Sequence, residues 1–467
     1  MDTVIVLFNR DLRVHDHPAL ATACADARRV APLFVVDPAL ALGRRTGFLA
    51  DCLADLRESL RGRGGDLLIR WGDPVAETLR LAGELSAQAV YTGEDVSALA
   101  RRRERRLAEE CGRHRMGFRT FPGVTVVPPG ALRPSGGGDH YRVFTPYWRA
   151  WNDIRRREVL DAPDVVPVPP QVEPGPLPVP GRLASRLFRG GETVARERMA
   201  QWLKCSVAGY AEGHDDLAGD RTSRLSPYLR FGCLSPLELA SLSGGGGVGV
   251  GDDRDGDDRD GDDRDGGGRG DGGSGDGGGR GDGDGRGGDD YVRQLCWRDF
   301  FHQVASAFPR INRDDYRPRG QEWHDDGDAA QAWKEGRTGV PIVDAGMRQL
   351  LTEGWMHNRA RMIAASFLVR RLRVDWRVGA AHFFELLLDG DVPNNYGNWQ
   401  WVAGTGNDTR PNRAVNPVRQ ARRFDPRGEY IRRYLPELEA VPTRTLHEPW
   451  RLPAGIGGYP PPLVSMG

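Results

Sequence analysis

Val4-Ile-Val-Leu-Phe8 is an apolar run that stops at a polar stretch, Asn9-Arg-Asp-Leu-Arg13, and similar runs recur at 30–36, 67–70, 89–92 and 118–121. Helix-length segments such as 47–62 and 97–112 lie between them. Strands alternating with helices argue for a parallel, doubly wound sheet. No Gly-x-Gly-x-x-Gly follows any of the runs, so the ordinary dinucleotide fingerprint is missing and a ligand of this domain would be held by another rule.

Outward from this unit the pattern changes twice. From about Pro128 to Gly190 it breaks down, and residues 163–180 contain eight Pro, which favours an extended, semi-rigid strap that we read as the interdomain crossing. Within that crossing, Tyr141-Arg-Val-Phe-Thr-Pro-Tyr-Trp148 leads into a short helical stretch. After Gly191 apolar residues recur at spacings of three and four over 192–209, 227–231, 236–242, 291–308, 341–353, 355–373 and 376–388, the signature of an all-helical domain. The expected organisation is an α/β domain at 1–130, a Pro-rich linker at 131–190 and a helical domain at 191–467.

The helical domain is interrupted at 244–290 by Gly-rich sequence with three tandem Gly-Asp-Asp-Arg-Asp units, starting at Gly251, Gly256 and Gly261. It has almost no apolar residue with which to offset ordering entropy, so a disordered, solvated insertion is expected. Weak divalent-cation binding is the alternative use of its acids, and its two Arg-Gly-Asp triplets follow from composition. The segment carries 15 Asp and 6 Arg, a local charge of −9. The formal net charge of zero therefore hides a remainder of 59 basic and 50 acidic residues, at +9. A basic folded part makes polyanions plausible partners. Of the 65 basic residues only Lys204 and Lys334 are Lys, and Arg grips phosphate with a two-pronged geometry that Lys lacks.

The chain's 467 residues suffice for two or three domains. No apolar run reaches the roughly 18 residues of a membrane span, and Met1-Asp-Thr3 followed by a strand does not resemble a signal peptide. A soluble, cytoplasmic protein is expected. Cys24, Cys52, Cys111, Cys205, Cys233 and Cys296 form no Cys-x-x-Cys pair and have no zinc-type spacing, so they read as reduced thiols with no metal role.

Four segments carry chemistry. In Thr222-Ser-Arg-Leu-Ser-Pro227, Ser226 before Pro227 reads as an N-cap with proline at the first helical position. That is either simply a capped helix or a phosphate site; Ser235-Pro236 reads as a plain cap. Tyr291-Val-Arg-Gln-Leu-Cys-Trp-Arg-Asp-Phe-Phe301 puts Gln294, Trp297 and Arg298 on one helical face. Those three suit an unstacked nucleobase with its phosphate, or equally a core Trp beside a solvent-facing Arg. In Trp355-Met-His-Asn-Arg-Ala-Arg-Met362, Asn358, Arg361 and Met362 share a face, and Arg361 has a ready partner in Asp389 or Asp391, which as a buried ion pair is equally a structural reading. Asp389-Gly-Asp-Val-Pro-Asn-Asn-Tyr-Gly-Asn-Trp-Gln-Trp401 is a poor recipe for a core and a good one for a polar, aromatic-walled cavity; Asn395, amid turn residues, caps something or addresses a ligand. Trp323, Trp333, Trp355, Trp376, Trp399 and Trp401 fall within eighty residues; most buried Trp pack, though indoles also pass single electrons.

Together, Thr222-Ser-x-Leu-Ser-Pro227, Trp297-Arg-Asp-Phe300, Trp333-x-x-Gly-x-Thr-Gly-x-Pro-x-Val-Asp344, Trp355-Met-His-Asn-Arg-x-Arg-Met362 and Asn395-x-x-x-Trp-Gln-Trp401 resemble the photolyase/cryptochrome family, and Asn9-Arg-Asp-Leu-Arg-x-x-Asp16 resembles its N-terminal signature. The resemblance spans nearly the whole chain outside 244–290 and is most like the class I cyclobutane pyrimidine dimer photolyases, since His357-Asn358 lacks the His pair of the (6-4) enzymes. It implies an α/β antenna domain joined to a helical domain that holds U-shaped FAD. It further implies that Tyr210, Thr222, Ser223, Leu225 and Ser226 hold the FAD phosphates and ribityl chain. Arg361 and Asp389 would lie over the isoalloxazine, Asp391 at its edge and Asn395 facing N5. Trp399, Trp376 and Trp323 would carry an electron from the surface during photoreduction. Trp297, Asn358, Met362 and Arg298 match positions around a flipped dimer, with Arg298 also counted among the cofactor contacts.

The implied activity is light-driven repair, in which reduced FAD gives an electron to the pyrimidine dimer in ultraviolet-damaged DNA and recovers it after the ring splits. A monomer is expected.

Several residues depart from the family pattern. Gln294 stands where the well-known bacterial enzymes have Glu, and His214 stands in place of an Arg. Ser97 and Ala98 replace polar antenna contacts of folate-binding members, favouring an 8-hydroxy-5-deazaflavin antenna, or none, over methenyltetrahydrofolate. The end at Tyr459–Gly467, where relatives continue into another helix, is expected to cost stability. The rival readings are a cryptochrome-like photoreceptor without repair and a light-independent nucleic-acid-binding flavoprotein.

Overall fold

The computed structural model describes every residue except 41–42, 171, 180–186, 245–282, 410–413, 454 and 467. Five strands, β1 (Thr3–Phe8), β2 (Arg29–Val36), β3 (Leu68–Trp71), β4 (Ala89–Gly93) and β5 (Gly117–Phe121), form one parallel sheet in the order β3-β2-β1-β4-β5. Helices α1 (Pro18–Asp26), α2 (Arg45–Arg61), α3 (Pro74–Leu85) and α4 (Ala98–Arg113) alternate with them. This is the doubly wound sheet that the sequence predicts. Every residue of β1 is buried because both faces are covered, and alternate side chains feed two cores. Ile5 and Leu7 pack with Leu81 of α3 and Leu107 of α4, whereas Val4, Val6 and Phe8 join a core shared with α1, α2 and the rest of the molecule. The strand order reverses between β1 and β4, the position where open α/β sheets present a crevice at their carboxyl ends.

The Pro-rich segment does more than cross. Val30 N donates to Pro167 O and Ile69 N to Pro174 O, both at 2.6 Å, so the strap satisfies groups along β2 and the outer edge of β3 and blunts that edge. Upstream of the Pro-rich run lies α5 (Phe144–Asp153).

The remaining elements are helical. They are α6 (Glu192–Cys205), α7 (Tyr210–Gly213), α8 (Ser226–Phe231), α9 (Pro236–Ser243), α10 (Gly283–Ala307), α11 (Gly327–Lys334), α12 (Pro341–Glu353) and α13 (Asn358–Ser366), the last of these running on into a π-helical turn at Phe367–Arg371. α14 (Trp376–Leu386), α15 (Val392–Ala403), α16 (Pro417–Phe424), α17 (Glu429–Tyr434) and α18 (Thr443–Leu446) complete them. No helix among the described residues is long and apolar enough to cross a membrane.

Three expectations need correction. The acidic insertion, with its repeats and Arg-Gly-Asp triplets, lies mostly outside the described residues, but its last residues from Gly283 belong to α10. Glycine serves packing there: a Cβ on Gly287 would come within 2.2 Å of Val207 O, and one on Gly288 within 2.3 Å of Ser243 O. Ser226 is not an N-cap. Leu225 occupies that position without a side-chain bond and Ser226 is the first helical residue, whereas Ser235 does cap α9 by accepting from Glu238 N. Asn395, read as lying amid turn residues, is in a helix started by the Asp391 side chain and Pro393.

α14 and α15 pack closely at Gly379, where a Cβ would meet Trp399 Cη2 at 2.2 Å and Leu368 Cδ2 at 2.6 Å. Gly379→Ala gains up to ~1 kcal/mol of helix propensity. Overpacking against a buried indole is expected to cost ~1–3 kcal/mol, which outweighs it. Thermal unfolding should show a lower midpoint, and a raised midpoint would mean that the two helices separate freely.

Candidate functional site

The site is built around the turn Asp389-Gly390-Asp391 between α14 and α15. Asp389 Oδ2 accepts from Arg361 Nη2 at 2.8 Å, which settles the partner of Arg361. Asp391 is paired elsewhere, with Arg10 Nη2 at 2.9 Å. Arg10 also donates to Asp95 Oδ2 (3.3 Å) and to Arg230 O (3.2 Å), and Arg230 Nε donates to Gly390 O (2.7 Å). Arg10 thus joins the carboxyl ends of β1 and β4 to the start of α15. Burial alone would push the Asp391 carboxyl up, but the Arg10 guanidinium reverses this, with His302, Arg298 and Arg230 adding to it, and holds Asp391 far below the usual carboxylate range. The rest of the N-terminal signature is equally structural. Arg13 donates to Gly232 O, Gly123 O and Asp16 O, while Asp16 accepts from Arg157 and Ser235.

Asn395 lies on the first turn of α15, 8 % exposed. Its Nδ2 donates to Ala380 O at 2.9 Å, which leaves Oδ1 as an acceptor without a partner among the described residues. α13 opens at Asn358 with His357 as cap, and Asn358 Nδ2 sits 4.0 Å from Met362 Sδ. Asn358 is exposed and Met362 half-buried, on the helix that carries Arg361.

Along α10, Gln294 is exposed and Trp297 half-buried. Arg298 Nη1 donates to Val124 O at 2.6 Å, so its guanidinium is engaged in the contact between sheet and helices, near Asp391. Trp297 is stacked on Phe144 of α5, with ring centroids 3.6 Å apart and planes within 4°. α10 meets α15 where Phe301 lies against Gly397; a Cβ there would stand 2.2 Å from the ring.

The hydroxyl segment is cross-tied. Tyr291 OH donates to Ser223 Oγ (3.0 Å), Leu225 N to Ser223 Oγ (3.3 Å), Thr222 Oγ1 to Asp220 Oδ1 (3.0 Å) and Trp355 Nε1 to Ser226 Oγ (3.4 Å). Arg224 adopts a left-handed φ of 51° and lies over Trp355, its guanidinium carbon 4.3 Å from the ring centre. Leu225 is fully buried, and Tyr210 packs edge-on against Tyr291 at 5.2 Å. His214 Nδ1 lies 3.1 Å from Tyr210 O, so it closes the short helix α7.

Trp399 and Trp376 are buried and Trp323 is half-buried. α14 carries Trp376 at its start and touches Trp399 at Gly379. A bridge between His324 and Val374 brings the Trp323 segment to the same end of α14.

FAD fits these residues. Arg361 serves Asp389 Oδ2 only, and Asp389 Oδ1 is buried with no hydrogen-bond partner among the described residues, as is His357 Nε2. A buried carboxylate oxygen without a donor is costly, and a ligand with a ring N–H removes the cost. Sequence reasoning missed Arg10, Asp95, Arg230 and Tyr291 as parts of the site and Phe144 as the support of Trp297. Arg10, Tyr291 and Phe144 stand in segments that the sequence singles out, without partners, whereas Asp95 and Arg230 carry no such signal.

Comparison with known proteins agrees with this geometry. Residues 4–170 match the family model described as DNA photolyase, and residues 291–466 match that of the FAD binding domain of DNA photolyase. The chain is 46% identical to the deoxyribodipyrimidine photo-lyase of Streptomyces griseus over 100% of its own length and 97% of the relative's. It is 35% identical to the cryptochrome DASH of Natronomonas pharaonis, covering 100% of this chain and 98% of that one. A crystal structure of a bacterial class III photolyase from Agrobacterium tumefaciens superposes with a TM-score of 0.86 at 30% identity, covering 100% of this chain and 95% of the other. With this sheet, this helical unit and these relatives along its full length, the chain belongs to the DNA photolyase/cryptochrome family.

Proposed function

We infer that this chain is a light-dependent DNA-repair flavoenzyme that splits cyclobutane pyrimidine dimers. One observation carries the reading: α13, α15 and α10 bring the Arg361–Asp389 pair, Asn395 and Trp297 to one region, with an orphaned carboxylate oxygen that a flavin would satisfy. The full-length likeness to a deoxyribodipyrimidine photo-lyase supports it.

Reduced FAD, when bound, supplies the electron that opens the cyclobutane ring. The chain's own residues do the rest. Thr222, Ser223 and Ser226 offer hydroxyls, with Tyr210 and Leu225 walling them, to the phosphates and ribityl chain. Arg361 and Asp389 would orient the ring system, Asp391 would stay ionised beside it, and the unpaired Asn395 oxygen would accept a hydrogen bond from a flavin N–H. Trp297, Asn358, Met362 and Gln294 receive the flipped dimer, which unstacks at lower cost than paired bases. Trp399, Trp376 and Trp323 form the path for light-driven reduction.

The division into an α/β domain at 1–130, a linker at 131–190 and a helical domain from 191 is retained as our proposal. For the antenna we favour 8-hydroxy-5-deazaflavin over methenyltetrahydrofolate, because the Ser97 hydroxyl is engaged in capping α4 at Ala100 N and Ala98 has no polar group.

The protein with reduced FAD, illuminated with near-ultraviolet or blue light, is expected to remove dimers from ultraviolet-treated DNA in catalytic amount. Binding should weaken steeply with salt, since arginine–phosphate contacts release counterions. Absence of repair with FAD bound and photoreducible would replace this reading with that of a photoreceptor.

A further inference from the structure

We propose that Phe144, which comes from the crossing segment rather than from the flavin-holding helices, is a positioning residue that sets the plane of Trp297 and thereby the selectivity for a flipped dimer. The inference rests on the placement of that dimer against Trp297 proposed above.

Phe144 is 6 % exposed and lies parallel to Trp297 at 3.6 Å. Its ring also lies under Arg293, whose guanidinium carbon is 5.5 Å from the ring centre. Arg293 and Trp297 are one turn apart on α10, so Phe144 is inserted between two side chains that share a helical stripe. Without it, the indole would be free to rotate about its side-chain bonds into the gap. A flat ligand read by stacking needs a plate of fixed orientation, and a second ring in van der Waals contact along one face supplies that.

Phe144 is itself fixed. α5 docks on α10 through Tyr147 against Phe300 (5.5 Å) and through Trp151 Nε1 donating to Asp299 Oδ2 (3.0 Å), so positions 144, 147 and 151 form its inner face. Burial pushes the Asp299 carboxyl up to about 6, although Arg298, Trp151 and the Val127 amide oppose the shift. Asp299 Oδ2 also accepts from Val127 N at 2.9 Å, so this one carboxylate on α10 anchors the far end of α5, and the near end presents Phe144 to Trp297.

The test compares Phe144→Leu, Phe144→Tyr and Trp297→Ala as FAD-loaded proteins, with an oligonucleotide carrying a single thymine dimer and its undamaged counterpart as probes. Phe144→Leu keeps apolar volume but loses the plate. It is expected to weaken dimer binding roughly tenfold, a loss of about 1.4 kcal/mol. Binding of undamaged DNA, the rate of flavin photoreduction and the repair rate at saturating dimer should stay at parental values, so the change falls in KM rather than kcat. Phe144→Tyr, which keeps the ring, should bind the dimer like the parent. Parental dimer binding by Phe144→Leu, or equal losses for damaged and undamaged DNA, overturns the proposal. If Trp297→Ala also binds like the parent, the dimer placement is what fails.

Discussion

Arg10→Met is expected to destabilise the folded protein by about 3–5 kcal/mol at neutral pH, the cost of stranding a buried carboxylate. Asp391 is 4 % exposed, and its strongest cation is the Arg10 guanidinium at 2.9 Å. Met fills a similar volume, so loss of packing is the smaller part. The pH dependence separates the two contributions. In the parent the Asp391 pKa lies below its unfolded value, so its contribution to stability is complete above the ordinary carboxylate range, about pH 4, and is lost as pH falls further. In the variant, burial acts with less opposition and raises the same pKa, so the folded state takes up a proton and part of the deficit disappears in acid. The gap between parent and variant in urea unfolding should be largest near pH 7 and narrow below pH ~4. A gap of the same size at both pH values would assign the loss to packing alone. Arg10→Lys should fall between, because one ammonium cannot serve Asp391, Asp95 and Arg230 O together.

This clamp shows where a sequence stops being legible. The five strands could be read because each apolar run reports its own burial, and Val4–Phe8 is buried on both faces as the run implies. The partner of Arg10 lies 381 positions away, and no local pattern encodes it. Local preference also misleads within the site. Asn394, Asn395, Gly397 and Asn398 are weak helix formers, yet they lie in α15 because Asp391 and Pro393 start it and Gly397 is the residue that lets Phe301 approach. Ser226 beside Pro227 looks like a cap, but its hydroxyl instead accepts from Trp355 Nε1 in the connection between α12 and α13. The glycines at 287 and 288 read as solvated sequence, whereas they admit close backbone packing. That Arg361 would meet one of the two acids at 389 and 391 was readable from the residues, but the choice of Asp389 came from the family resemblance and not from the local pattern. The plate formed by Phe144 and Trp297 needed coordinates, since neither ring announces its neighbour.

Trp376→Phe should slow light-driven reduction of bound FAD by roughly 100-fold, equivalent to about 2.7 kcal/mol on the barrier, whereas Trp333→Phe should leave it nearly unchanged. The contrast matters because Trp399 has both indoles within reach. Trp333 lies edge-on to it at 6.0 Å between ring centres, and Trp376 stands one helical turn from Gly379, which touches Trp399. An oxidised indole is a cation, so the ring better placed to hold positive charge receives it. Trp333 is fully buried, stacks on Phe383, and offers its Nε1 only to the Ala364 carbonyl at 2.9 Å. A charge there would be desolvated without a counterion. Trp376 donates Nε1 to the Asp315 carboxylate at 2.9 Å. Arg377 lies over its ring at 4.6 Å, but that cation is paired with both Asp315 and Asp375, leaving the surroundings net negative. From Trp376 the proposed route would continue past the His324–Val374 bridge toward half-buried Trp323 and solvent, whereas fully buried Trp333 lies in the core. Bleaching of the oxidised flavin band under blue light with an external thiol measures the rate, and intact flavin absorption in the dark controls for folding. Equal slowing in Trp333→Phe and Trp376→Phe would show that both indoles share the charge and that the local carboxylates do not decide its direction.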